Sequence, residues 1–223
     1  MPQPRQARPA ADAPTGLFIA FEGGEGAGKS TQVHLLAQWL REQDHEVVVT
    51  FEPGDTKLGR ALREVLLHLE GPRPTPVAEA LLFAADRAEH VARVVRPALA
   101  AGAVVLTDRF SDSSIAYQGG ARRLGTARIA ELASWATGGL RPDLTVLLDL
   151  PPRVGLARFA TPHDRLESEP LQFHDRVRAS FLELAAADPA GHVVIDASAE
   201  VEQVAQAVRA AVEALLHDAR QPL

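Results

Sequence analysis

The chain has 223 residues, 46% of them hydrophobic and 23% charged, the proportions of an ordinary globular protein with material for one sizeable α/β unit. A formal net charge of -6 argues against a general nucleic-acid-binding surface, and the absence of cysteine excludes disulfides and thiolate metal sites and fits a cytoplasmic protein. No apolar run is long enough to span a membrane. Residues 1–14, rich in Pro, Ala and Arg with no apolar stretch, read as a disordered tail rather than a secretory signal.

In chain order, residues 17–21 (LFIAF) are a short apolar run bounded by glycines, the pattern of a buried strand. Residues 29–43 follow with Leu35, Leu36, Trp39 and Leu40 at helical spacing, and 47–50 form a second buried strand. Residues 58–69 read as a helix ended by GPRPTP, and 77–100 as a long helix bent near Pro97. Strands are expected at 104–107, 145–150 and 193–196, helices at 126–137 and at about 199–217. Between the last two strands a polar, proline-broken patch at 161–170 precedes another helix and reads as a mobile flap. Apolar strands alternating with helices imply a parallel sheet covered on both faces, in one unit from residue 15 to 223.

Gly23-Gly24-Glu25-Gly26-Ala27-Gly28-Lys29-Ser30 fits G-x-x-x-x-G-K-[ST]. Glycines let backbone N–H groups curl around phosphate oxygens, and the helix that follows adds its positive end. Lys29 reaches the β- and γ-phosphates of ATP, and the Ser30 hydroxyl is a Mg2+ ligand. With Thr31, this stretch is the expected nucleotide triphosphate site. A strand before it and an amphipathic helix after it supply the required context.

Five segments, FEGGEGAGKSTQ, FEPGDTKLGRALREVLL, LLFAADRAEHV, TDRFSDSSIAYQG and DRLESEPLQFHDRVRASFLELA, resemble successive segments of the thymidylate kinase family, in the family's order and from about residue 17 to 196. The resemblance implies a P-loop, doubly wound, five-stranded parallel sheet with helices on both faces and a mobile lid. It also implies a homodimer and the reaction of ATP with dTMP to give ADP and dTDP. Such a reaction brings two anions together, and the acceptor oxygen is already ionised, so catalysis should rest on positioning and on cations rather than on a base. By resemblance, Arg109 binds the acceptor phosphate and Asp108 sits near Mg2+. Phe83 and Arg87, one turn apart, stack on and hydrogen-bond the thymine. Ser113 and Gln118 face the base, and Tyr117 lies beneath the deoxyribose. Glu52 and Pro53 flank the acceptor.

In some family members an acid–arginine pair occupies the phosphate loop. Here Gly26 follows Glu25, so the resemblance is to the bacterial subclass that brings arginines from a lid, expected at about 158–170 with Arg158 and Arg165. One departure stands out: Phe51 precedes Glu52 where the family commonly has arginine. The residues alone leave open a kinase for another nucleotide, a deoxynucleoside kinase with Glu52 as its base, a non-catalytic nucleotide switch, and a P-loop ATPase.

Overall fold

The computed structural model describes residues 16–220 apart from 69, 72, 160, 162 and 163, with side chains described to residue 217. The tail expected at 1–14 and three positions of the expected lid lie outside the described residues. Strands β1 (Leu17–Glu22), β2 (Val47–Phe51), β3 (Val104–Asp108), β4 (Leu144–Asp149) and β5 (His192–Asp196) form one all-parallel sheet in the order β2-β3-β1-β4-β5. Each lies within a residue of its expected place, because a strand buried on both faces is a continuous apolar run.

Alternation along β1 divides the core. Ile19 and Phe21 join Leu106, Val146 and Leu148 beneath α1 (Lys29–Glu42) and α9 (Val201–Arg220), whose Leu36, Leu40, Val204 and Val208 complete that layer. Phe18 and Ala20 point the other way, onto Val91, Val95, Leu99 and Phe110, with the Phe18 and Phe110 rings edge to face at 4.9 Å. That second face also carries α2 (Lys57–Leu67), α3 (Pro76–His90), α6 (Thr126–Thr137) and α8 (Leu171–Ala187). Thr56 and Thr75 cap α2 and α3 by accepting the N–H of Gly59 and Ala78, and Pro76 occupies the first turn of α3, where its missing N–H costs nothing.

Two features depart from the expected elements. The long helix of 77–100 is divided into α3, a π-helical segment Val91–Val95 and α4 (Arg96–Ala100). Pro97 donates no hydrogen bond and its ring crowds the carbonyl four residues back, and the wider turn absorbs both defects. After β3, a short α5 (Ser111–Ser114) runs into a second π-helical segment, Ile115–Ala121. No helix is expected there because serine and paired glycines are weak helix formers. Tertiary contact overrides propensity. A Cβ on Gly120 would stand 2.1 Å from Ser180 Oγ, so glycine is what lets this helix approach α8.

Candidate active site

Glu22, Phe51 and Asp108 end β1, β2 and β3, and the register sets Asp108 between Phe21 and Phe51. Ligands of open α/β sheets bind at such carboxyl ends. Here a cavity of about 750 Å³ is lined on one side by residues 25–31 and on the other by Phe83, Arg87, Ser113, Tyr117 and Gln118.

The phosphate loop fits a polyphosphate. Gly28 caps α1 at φ 88°, in the left-handed region, so the loop enters the helix with its first N–H groups unbonded. Lys29 Nζ turns back onto the carbonyls of Gly23 and Gly24 at 3.1 and 2.9 Å. Burial and the neighbouring Arg109 push its pKa down, against the pull of Asp108 and Glu25, so an anion entering the loop favours the charged lysine. Ser30 Oγ donates to Asp108 Oδ2 at 2.6 Å. A hydroxyl and a carboxylate side by side in the cavity are hard oxygen donors suited to Mg2+, which characteristically takes one or two protein ligands plus substrate phosphates. Among the described residues no cluster of three or more His, Cys, Asp or Glu could hold a metal alone.

Arg109 is the hub between the loop and the opposite wall of the cavity. Nη1 donates to Gly23 O at 3.2 Å and to Ser113 Oγ at 3.1 Å, Nη2 donates to Glu25 Oε1 at 2.8 Å, and the guanidinium lies 5.1 Å from the centre of the Tyr117 ring. The Tyr117 hydroxyl donates to the same Glu25 oxygen at 2.6 Å. Burial opposes ionisation of Glu25, but Arg109 and Lys29 hold its pKa at about 2. Burial and Glu25 keep the Tyr117 phenol protonated.

The opposite wall is built from paired charges. Arg87 donates from Nε to Glu52 Oε2, from Nη1 to Ser114 Oγ and from Nη2 to Phe110 O, each at 2.8 Å. Glu52 Oε1 is met by His90 Nδ1 at 2.8 Å. Gln118 Nε2 donates to Glu79 Oε1 at 2.8 Å, and Arg122 clamps Glu79 through Nε and Nη2. Asp86 accepts the Gly54 N–H at 3.1 Å through Oδ1, while its buried Oδ2 has no partner among the described residues. Burial, then Glu52, raises its pKa to about 6. Sequence reasoning picked Arg87, Gln118 and Glu52 but missed Glu22, Glu79, Asp86, His90 and Arg122. The available signal was a carboxylate, Glu22, closing an otherwise apolar strand.

Phe51 is 40% exposed, and its ring carries the Arg63 guanidinium 5.8 Å from its centre. Arg63 Nη1 donates to Pro53 O at 2.7 Å, and both side chains line the cavity. Among the described residues Arg63 has no carboxylate partner, unlike Arg87 and Arg109.

After β4, the one-turn helix α7 (Pro152–Leu156) leans on the phosphate loop. Gly26 has φ 68°, and a Cβ there would stand 2.3 Å from Gly155 O. Arg158 lines the cavity and donates from Nη1 to Gly26 O at 2.6 Å. Arg165 differs from the expectation. It is 2% exposed and donates to the carbonyls of Val65 and Leu66, with its own N–H on Leu67 O. Those carbonyls are the unsatisfied acceptors at the negative end of α2, an environment that draws an arginine away from the cavity.

The thymidylate kinase family profile matches residues 21–208. A thymidylate kinase of Clavibacter michiganensis is 56% identical over 205 residues, covering 91% of this chain and 97% of the relative, and one of Gloeobacter violaceus is 52% identical over 206 residues, covering 91% and 97%. The crystal structure of thymidylate kinase from Ehrlichia chaffeensis superposes with a TM-score of 0.73 at 32% identity, over 88% of this chain and 98% of that one.

Proposed function

The chain belongs to the thymidylate kinase family and phosphorylates dTMP to dTDP with ATP, and from that premise we propose how its own residues divide the work. The observation that carries the assignment is one cavity joining a phosphate loop to a wall of base-sized and sugar-sized groups. ATP lies along residues 23–31, with the loop N–H groups and Lys29 on its β- and γ-phosphates. Ser30 and Asp108 would hold Mg2+, which when bound would offset the charge of the phosphoryl oxygens.

Arg109 meets the acceptor phosphate, and Arg63, set on Phe51, adds a second cation on that side. Phe83 stacks on thymine. Arg87 has three of its five N–H groups fixed to protein and offers the remainder to a base carbonyl, while Gln118, anchored by Glu79, offers its amide oxygen to a base N–H. Tyr117, held by Glu25 and Arg109, floors the deoxyribose. Glu52 and Pro53 shape the acceptor side.

An ionised oxygen of dTMP attacks the γ-phosphorus. The bond from that phosphorus to the β–γ bridging oxygen breaks, and ADP leaves with the electron pair, so no proton has to be removed. A deoxynucleoside acceptor would need a base, and Glu52 is ill placed for it, with both oxygens taken by Arg87 and His90. Arg158 closes over the transferring group from a lid of about 158–170, and Arg165 anchors that lid to α2.

We also propose one catalytic unit from residue 15 onward, acting in the cytoplasm as a homodimer. Exposed apolar side chains on the adjoining helices α2, α3 and α6 support the dimer: Leu58, Val65, Val77, Leu81 and Trp135, the last 82% exposed. No helix among the described residues is long and apolar enough to cross a membrane.

The assay is ADP release with ATP and Mg2+ against dTMP, dUMP, dCMP, dGMP and thymidine. Release dependent on dTMP above the others is expected; thymidine outpacing dTMP would overturn the division of roles. Sedimentation of Leu81→Glu tests the dimer, and an unchanged mass would exclude that face.

A further inference from the structure

Residues 109–113 turn the chain from β3 into α5 through a left-handed arginine. Arg109 has φ 72°, a region where Cβ crowds the backbone and where a non-glycine residue persists only if its surroundings hold it. Glu22, 1% exposed at the end of β1, commits both carboxylate oxygens to that turn. Its Oε1 accepts the N–H of Phe110 at 2.9 Å and of Ser113 at 3.0 Å, and its Oε2 accepts the Ser113 hydroxyl at 2.6 Å. The Ser113 oxygen, its proton given to Glu22, accepts from Arg109 Nη1 at 3.1 Å.

We propose that Glu22 is a positioning residue for phosphoryl transfer: its ionised carboxylate folds residues 109–113 over the end of β1 and, through the Ser113 hydroxyl, aims the Arg109 guanidinium at the acceptor phosphate. The inference rests on the reading that Arg109 meets that phosphate. All three groups on Glu22 are donors, so only the ionised acid satisfies them; a protonated Glu22 sets its own O–H against one of them.

The charged groups facing Glu22 are Asp112 from α5, Arg109 from the turn and Lys29 from α1. Burial and Asp112 push its pKa to about 7, against the pull of Ser113, Arg109 and the Phe110 N–H. Asp112 is in turn met by His192 Nε2 of β5 at 2.8 Å. As pH falls through about 7, Glu22 takes up a proton, the turn loosens and the enzyme loses its hold on dTMP.

The test is steady-state kcat, KM for dTMP and KM for ATP from about pH 5.5 to about 9 for the wild type, Glu22→Gln, Asp112→Asn and Arg109→Ala. Substrate phosphates titrate near pH ~6 in every assay alike, so differences between proteins report the enzyme. Glu22→Gln keeps the side chain's size and is expected to raise KM for dTMP about ten- to a hundredfold, to leave KM for ATP within about twofold, and to lack the inflection of kcat/KM near pH ~7. Asp112→Asn is expected to move that inflection to lower pH.

A folded Glu22→Gln enzyme with the wild-type inflection and wild-type KM for dTMP overturns the proposal. If Glu22→Gln does not fold, Asp112→Asn decides: an acid shift upholds the proposal and an unmoved inflection overturns it. Wild-type KM for dTMP in Arg109→Ala overturns the premise about Arg109 and the proposal with it. A raised KM there, beside an unaltered Glu22→Gln, overturns the positioning role alone.

Discussion

The two sides of the cavity are charged by opposite means. Among the described residues the phosphate loop presents backbone N–H groups and a lysine held by carbonyls, whereas across from it Arg87 and Arg122 are locked to carboxylates of the wall, and Arg109 between the two sides to Glu25, before any nucleotide arrives. The lysine of the loop waits for a ligand; the arginines of the wall, Arg63 apart, are already paired. Removing a loop residue should therefore cost rate and leave the fold, while removing a wall residue should cost the fold as well, since it strands a buried partner.

The sharpest test of that contrast is Lys29→Ala. Transfer should fall about a thousandfold, as when a preorganised transition-state donor is lost, with the thermal transition near that of the wild type by circular dichroism. A folded variant with undiminished ADP release would break the loop assignment.

Next in size is Arg87→Ala, which leaves Glu52 buried without its guanidinium and should cost about 3–5 kcal/mol of stability in urea denaturation. A loss no larger than that of Lys29→Ala would erase the difference between the two sides. Arg109→Ala touches both sides: KM for dTMP should rise about ten- to a hundredfold and KM for ATP much less. Equal losses would assign Arg109 to the loop.

Asp86→Asn sharpens the picture through pH. The folded pKa of Asp86, about 6, lies above its ordinary 3.8, so its stabilising contribution is complete below pH ~4 and is lost as pH rises through about 6. The variant keeps the acceptor for the Gly54 N–H and cannot ionise. Relative to the wild type it should gain about 1–3 kcal/mol on going from pH ~4 to pH ~8, and melting curves at the two pH values read this directly. The smallest expected effect is that of Phe51→Arg, which should lower KM for dTMP at most about tenfold. No change would mean that Arg63 already supplies the cation on that side.

The same division governs what was legible in the sequence. The phosphate loop is contiguous, so its chemistry is written in nine adjacent positions. The strands were legible because burial on both faces leaves an unbroken apolar run. In the wall both members of the Glu52–Arg87 pair were legible, but of Glu79, Gln118 and Arg122 only Gln118 was. Arg87 and Gln118 belong to readable segments, but Glu79 lies 39 residues from Gln118 and 43 from Arg122, and no local pattern links them. Arg165 was misplaced for a related reason. An arginine in a polar loop reads as free to swing, and what holds it is a helix end 99 residues earlier. The second π-helical segment was hidden because its stability comes from packing on α8 rather than from its own residues.

The close approach of Gly26 to Gly155 bears on how such an enzyme can be altered by substitution. At position 26 the backbone is left-handed and the space for a side chain is filled by a carbonyl oxygen of α7. An arginine placed there would have to drive out the short helix that precedes Arg158. Within this backbone, a side chain at position 26 and the backbone of Gly155 compete for one volume. A laboratory lineage that places a side chain at position 26 has to move α7 in the same step.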